Sequence, residues 1–331
     1  MKIRNIIGRL PIIHQYRQAV GLQRGMLLTG LIITGFFVLM AIFAPLLAPY
    51  GFNQLTGPDG ETFGSQIPPG GDHLLGTTVG GYDVLSRVIW GARTAFFVIV
   101  VAVLLSIFIG VLLGLISGYL GGWVDRVLVV VADAVYAFPT LLLAIVAGIV
   151  ISKGQSDLVG GVFAAAISIT VVFIPQYFRV IRAEAVRVKA EAFVESAKVV
   201  GASTPRVMFR HVLRNSTRTL PLIFTLNSSE AILTLAALGF LGFGIEPTSA
   251  AEWGYDLNRS ISDVTSGIWW TSIFPGAAIV LIVLGITLIG ESLNDLADPR
   301  LRTRRRASGA TPEDAEAASE PMAREEMGEV L

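Results

Sequence analysis

The sequence predicts an all-α integral membrane protein with six transmembrane helices and both termini in the cytoplasm. Three observations carry that prediction: a scarcity of charge, six long apolar stretches, and a one-sided distribution of lysine and arginine. Of 331 residues, 53% are hydrophobic and 15% charged, and the mean hydropathy is +0.67. A soluble domain carries about 25% charged residues, so much of this surface faces something other than water. There is no cysteine, which excludes disulfides, thiolate nucleophiles and Cys-based metal sites. The three histidines, His14, His73 and His211, are too scattered to suggest a zinc site.

Crossing the hydrocarbon core takes about 20 apolar residues. The stretches that qualify are 26–48, 94–116, 127–151, 159–178, 220–244 and 270–290. The first begins behind a basic tail and is longer than a signal-peptide core of about 7–15 residues, so it reads as a retained span. The second has no charge at all. The third contains Asp133 and the fifth Glu230. The fourth is rich in Ala, Ser and Gly, which suits a helix packed on other helices. Pro45, Pro139, Pro175 and Pro275 fall inside or near the ends of spans, where neighbouring helices can re-satisfy a freed carbonyl.

Lysine and arginine set the orientation. One side holds five in the N-terminal tail, Arg126, nine between spans four and five, and six in the C-terminal tail, 21 in all. The other side holds only Arg87, Arg93, Lys153 and Arg259. This split places both tails and the loop 179–218 in the cytoplasm. The parts are then an N-terminal tail (1–25), a first span with an outer loop (26–93), a five-helix core (94–293) and a C-terminal tail (294–331). The end of the first outer loop, 83–93, carries Val84, Leu85, Val88 and Ile89 on one helical stripe, as a helix lying on the interface would, with Trp90 as anchor. The second outer loop, 244–269, carries Glu246, Glu252, Asp256 and Asp263. The acidic, Ala-rich tail from about residue 307 reads as disordered.

The inner loop 179–218 is the most informative segment. It reads as two short helices. The first covers 184–200 and stops at Gly201, a residue suited to the left-handed position after a helix. Ser203 or Thr204 can cap the second, with Pro205 in its first turn. The elbow is small and apolar around Ala192, Phe193, Ala197 and Gly201 and charged on its flanks. It is either a docking knob for a cytosolic partner or an ordinary basic inner loop.

Glu195-Ser196-Ala197, three residues, then Gly201 resembles the E-A-A-x-x-x-G loop of ABC importer permeases. The wording E-A-F-V-E-S-A-K-V-V-G-A-S (191–203) resembles the dipeptide/oligopeptide/nickel family. So do L-G-T-T-V-G-G-Y-D-V-L-S-R (75–87), G-Y-L-G-G-W-V-D (118–125), A-F-P-T-L-L-L-A (137–144), L-G-F-L-G-F-G-I (238–245) and L-N-D-L-A-D-P-R (293–300). A leading span and an outer loop before Leu75 point to the C-type permease of such a pair. The chain departs from the family's pattern at Arg214, where proline is usual, at Leu235-Ala236, where Glu-Ala is usual, and at Tyr82, where arginine is usual.

The resemblance implies a type I ABC importer permease fold in the plasma (inner) membrane of a prokaryote. It implies a second homologous permease, two cytosolic ATPases using ATP and magnesium, and an extracytoplasmic substrate-binding protein, with membrane lipids around them and no nucleic acid. It implies that Glu191, Ala192, Phe193, Glu195, Ser196, Ala197 and Gly201 couple to an ATPase, with Phe193 as anchor. Asp83, Glu252 and Asp256 would face the binding protein. The chain lacks a G-x-x-x-x-G-K-[ST] sequence, so no cofactor is expected on it and ATP hydrolysis falls to partners.

Intramembrane acids are functional candidates. Asp133 either has a pore or interface role, or simply reaches the interface or pairs with Arg126. Glu230 either lines the pore or makes an interhelical hydrogen bond. Phe240 and Phe243 are further pore or interface candidates. The Arg300–306 cluster fits a topology signal and a contact to anionic lipid. Two alternative functions are an ion-coupled secondary transporter, which predicts inverted repeats, and an intramembrane enzyme, for which Asp133 with Glu230 is the possible pair.

Overall fold

A computed structural model describes residues 22–152 and 160–297. The N-terminal tail before Leu22, Lys153 and the C-terminal tail with its arginine cluster lie outside the described residues. The chain divides into two compact units, 28–290 and a small unit of the two chain ends, 1–27 with 291–331. In the small unit Ser292 Oγ donates to the Gln23 carbonyl at 3.4 Å.

The described residues are helical, with isolated bridges but no strand among them. The helices are α1 (Leu22–Ile42), α2 (Ala44–Leu47), α3 (Val84–Leu120), α4 (Gly122–Tyr136), α5 (Thr140–Ser152), α6 (Gly160–Lys189) and α7 (Ala192–Val199). Then come α8 (Thr204–Arg206), a π-helix (Val207–Val212), α9 (Leu213–Ser216), α10 (Leu220–Phe240), α11 (Trp253–Arg259), α12 (Ile261–Thr265) and α13 (Trp270–Ala297). Five of these are long and apolar enough to cross a membrane: α1, α3, α6, α10 and α13. The α4–α5 pair, bent by 97°, brings the count to six where the two helices together are one broken span.

The spans differ from the sequence expectation at three points. The stripe at 83–93 is not a separate interfacial helix but the first three turns of α3. Asp83 starts that helix by accepting from the Ser86 N–H at 2.8 Å, and no helix breaker separates it from the apolar run. The resulting 37 residues span about 55 Å. The third span is not straight. It breaks at 137–139, where Pro139 cannot donate and its ring disfavours helical backbone before it. The fourth span runs on to Lys189, absorbing residues assigned to the first inner helix, because 179–189 holds good helix formers and no breaker.

The core of the larger unit is the α3–α6 pair. Gly110, Gly114 and Gly118 fall four residues apart on one side of α3. A Cβ on Gly110 would lie 2.6 Å from Tyr177 Cβ; on Gly114, 2.6 Å from the Phe178 carbonyl; on Gly118, 2.6 Å from the Arg182 carbonyl. The two backbones therefore touch, which is how helices associate where lipid removes the hydrophobic driving force between them. Ser106, one turn earlier, donates to the Ala102 and Thr170 carbonyls at 2.6 and 3.1 Å. Around this seam pack Val98, Ala102, Ile169 and Phe173 with Ile232, Leu235 and Ile282. Gly30 of α1 and Gly285 of α13 make a second close approach, since a Cβ on Gly30 would meet the Gly285 carbonyl at 2.7 Å.

Gly114→Leu has no room at this seam, and overpacking costs about 1–3 kcal/mol or more. The variant is expected to melt well below wild type in detergent. An unchanged Tm would show that the seam yields.

Candidate functional site

The inner elbow is built from helix α7 and the turn that ends it. The chain leaves α6 through a tight turn in which the Glu191 N–H donates to the Val188 carbonyl at 3.1 Å. Glu191 then stands at the N-cap of α7 with extended backbone. Gly201 ends the element with φ of 87°. Its N–H donates to the Lys198 carbonyl at 2.9 Å, and the Ala202 N–H donates to the Ala197 carbonyl at 3.0 Å. This is a Schellman closure, which needs a left-handed residue at the position Gly201 occupies. Ser203 stands at the next N-cap without a side-chain bond, and Pro205 lies in the first turn. The second inner element departs from a regular helix, since most of it is the π-helix and the single turn of α9.

Val194 is fully buried and fixes the underside of α7 in a second core with Leu115, Tyr119, Ile181, Ala185 and Val212. The opposite face is open. Glu191, Ala192, Phe193, Glu195, Ser196 and Gly201 are exposed and Ala197 is half-buried. Phe193 is 43% exposed, while Val199 and Val200 are 87% and 88% exposed. The two valines were not singled out in the sequence, although three apolar residues on one short helix that cannot all face inward would have marked them. Large apolar side chains this exposed outside the bilayer mark an interaction surface.

The helix ends beneath the elbow are braced against one another. Arg182 donates twice to Asp125, at 2.5 and 2.7 Å, and Ser117 Oγ donates to the same carboxylate at 2.5 Å. Lys189 Nζ donates to the Tyr119 carbonyl at 2.5 Å, and Lys189 and Lys198 both lie over the Tyr119 ring. Paired, bidentate contacts of this kind resist rotation as well as separation. Val194 in the second core and Lys198 over the Tyr119 ring join α7 to this support.

The intramembrane candidates do not come together as a site. Asp133 pairs with Arg179 at 2.9 Å, not with Arg126, and both side chains are about half-exposed. Arg179 reaches it because α6 continues past the span end, and it also stacks on Tyr136. Glu230 is half-buried on α10, beyond the buried Asn227, Ser228 and Ser229. Phe240 and Phe243 are 42% and 52% exposed at the outer end of α10, around a second Schellman closure at Gly242. Among the described residues no cluster of three or more His, Asp or Glu could hold a metal.

The acids expected to face a binding protein are turned inward. Asp83, Glu252 and Asp256 are all buried, at 3%, 3% and 8% exposure, and each serves the outer cap. Asp83 caps α3 and hydrogen-bonds His73 Nδ1 at 2.9 Å. Asp256 takes two bonds from Arg87 Nε at 2.7 and 2.9 Å. Arg87 is 1% exposed, also donates to the Phe52 carbonyl at 3.1 Å, and lies over the Tyr82 ring. The sequence offered Arg87 only as one of four outer charges; nothing local marks it as buried. Glu252 accepts from the Gly254 and Tyr255 N–H groups, each at 2.7 Å. Gly239 makes room for it, since a Cβ there would overlap the carboxylate. Burial pushes the Glu252 carboxyl up to about 8 against the opposing pull of the two amides.

Asp256→Ala strands a buried guanidinium and is expected to cost about 3–5 kcal/mol, whereas Arg87→Met with Asp256→Leu should recover most of it; thermal melting of the three proteins checks both. The raised Glu252 value also fixes a sign. Folded protein holds this proton where an unfolded chain, titrating near 4.5, has lost it. The contribution is complete below about 4.5 and is lost as pH rises toward about 8. Tm should therefore fall across that window, and Glu252→Gln should flatten the fall.

Comparison with known proteins agrees with this architecture. Residues 110–303 match the family described as binding-protein-dependent transport system inner membrane component. Residues 23–68 match the N-terminal TM domain of oligopeptide transport permease C. The chain is 36% identical over 276 residues to a dipeptide transport system permease protein of Alkalihalophilus pseudofirmus, covering 83% of this chain and 86% of that one. It is 34% identical over 280 residues to a glutathione transport system permease protein of Shigella flexneri, covering 85% and 88%. It is 32% identical over 296 residues to a putative peptide transport system permease protein of Brucella suis, covering 89% and 94%. A multi-pass helical bundle matched along most of its length by transport permeases is a transport subunit and not an enzyme, and this chain belongs to the family of binding-protein-dependent transport system inner membrane components.

Proposed function

We propose that the chain forms half of the translocation pathway of an ATP-driven importer for peptides or related solutes, driven through α7. The observation that carries this reading is the exposed apolar face of α7 on a braced support. Phe193, Val199 and Val200 would enter a groove on a cytosolic ATPase, a helix-in-groove contact. Glu191 and Glu195 would make rim contacts, and Gly201 would hold the elbow angle. Because Val194 and Lys198 seat α7 on Tyr119 and the second core, and Arg182–Asp125 and Lys189–Tyr119 join the helix ends beneath it, closure of an ATPase dimer would move these helix ends as a rigid body and switch the pathway between outward and inward access.

A second, homologous permease completes the pathway in this reading, two ATPases supply the energy with ATP and magnesium, and an extracytoplasmic binding protein delivers the solute. In this reading both termini and the elbow lie in the cytoplasm, which the 21-to-4 division of basic residues supports. Peptide-like solutes are favoured because the dipeptide, glutathione and putative peptide permeases named above are the relatives. The inward burial of Asp83, Glu252 and Asp256 favours a binding-protein contact formed by the outer cap's surface and not by those carboxylates. A secondary transporter and an intramembrane enzyme are both disfavoured. Asp133 is engaged by Arg179, and no acid pair is assembled among the described residues.

Phe193→Asp, Val199→Asp and Gly201→Asp are each expected to abolish co-purification of the ATPases while leaving membrane insertion and subunit pairing intact. Each puts a charge on or beside the docking face, and Asp at position 201 must also adopt a φ that favours glycine. Normal ATPase recovery with all three would overturn the docking assignment.

A further inference from the structure

We propose that the apolar groove beside the inner end of α3 binds one anionic phospholipid, its acyl chain in the groove and its phosphate on Arg214. The groove encloses about 490 Å³. Ile107, Val111 and Leu115 of α3 form one wall, and Phe209 and Leu213 form the other. Its charged lining residue is Arg214.

Arg214 belongs to a ladder. Arg206, Arg210, Arg214 and Arg218 stand four residues apart, the first three on a continuously helical path from α8 through the π-helix into α9 and the fourth in the turn that follows. Turns of 3.6 residues, opened by the π-helical turn, keep that spacing near one side. All four side chains are exposed. The other side of the same path is buried, with Val207 and Val212 fully so in the second core. Phe209, 47% exposed, fills the sector between them and faces the groove. Among the described residues Arg206, Arg210 and Arg214 pair with no carboxylate, and Arg218 reaches only the Asn215 amide oxygen at 3.0 Å.

These facts select the occupant. The α3 wall covers roughly 12 Å of helix just before the inner turn at Gly121, inside a span without a charge between Thr94 and Leu120. A soluble protein does not reach hydrocarbon depth, whereas an acyl chain does. A row of unneutralised arginines at the mouth calls for a negative headgroup in preference to a zwitterionic one. A basic face beside an apolar groove is the pattern of an element lying at a membrane surface. The inference rests on the orientation proposed above only for assigning the lipid to the cytoplasmic leaflet.

The test uses the assembled importer in nanodiscs of mixed phosphatidylglycerol and phosphatidylcholine, with a photoactivatable acyl group on the phosphatidylglycerol. Native mass spectrometry counts retained lipid, and peptide mapping locates the cross-links. Labelling is expected on peptides spanning 107–115 and 209–213. Arg214→Gln should lower phosphatidylglycerol retention roughly fivefold and Arg210→Gln/Arg214→Gln roughly 25-fold, with phosphatidylcholine retention unchanged. Leu213→Trp, which fills the groove, should remove the acyl cross-links while the subunits still assemble. Equal retention by the double variant would overturn the proposal. So would labelling elsewhere, or photo-cross-linking of residues 107–115 to the second permease, which would make the groove a subunit interface. Retention is read with the ATPases removed as well as bound, so this test and the docking test fail independently.

Discussion

Close backbone contact between α3 and α6 is the constraint on which the rest of the larger unit depends. In lipid, two helices gain little from hiding apolar side chains from each other. What they can gain is dispersion and packing, and that requires approach to van der Waals distance. Gly110, Gly114 and Gly118 permit the approach because an added Cβ at any of them would strike α6. The seam then continues past the span. Below Gly118, the same two helices present Tyr119, Ile181 and Ala185, and Val194 of α7 packs on them. The element proposed to receive the ATPase stroke thus stands on this closely packed pair.

The outer cap is held on a different physical basis. Out of the hydrocarbon, the loops close around polar groups that are buried and partnered: Arg87 with Asp256, Asp83 with His73 and the start of α3, Glu252 with two backbone amides. Indole N–H groups fasten the cap to the spans, Trp253 to the Val88 carbonyl and Trp270 to the Thr77 carbonyl, at 3.1 and 3.2 Å. Such contacts are directional and cost dearly when one partner is removed. They suit a surface that keeps its shape. They also explain why acids that look available in the sequence are spent inside the molecule.

Between these two ends the chain breaks its own regularity twice. Pro139 bends the third span by 97°. The π-helix at Val207–Val212 widens one turn, and the exposed ladder from Arg206 to Arg218 runs through it beside a buried apolar side. A regular second inner helix was the simpler expectation from 203–218. The π-helix replaces it, and it lies on the wall of the groove assigned to lipid.

The sequence by itself determined the class, the apolar stretches and the place of the elbow. These follow from quantities that are local or additive: hydropathy over about 20 residues, a glycine where a helix must turn left-handed, and the motifs of the resemblance. It also contained the four-residue spacing of Gly110, Gly114 and Gly118, a signal legible to anyone seeking helix contacts. The tertiary structure alone decided which charges are free. Arg87 and Asp256 are 169 residues apart, and Asp133 chose Arg179 over the nearer Arg126. It also decided that Val194 points in while Val199 and Val200 point out. Burial and pairing are long-range properties, fixed by which distant segments the packing brings together, and no short window of sequence records them.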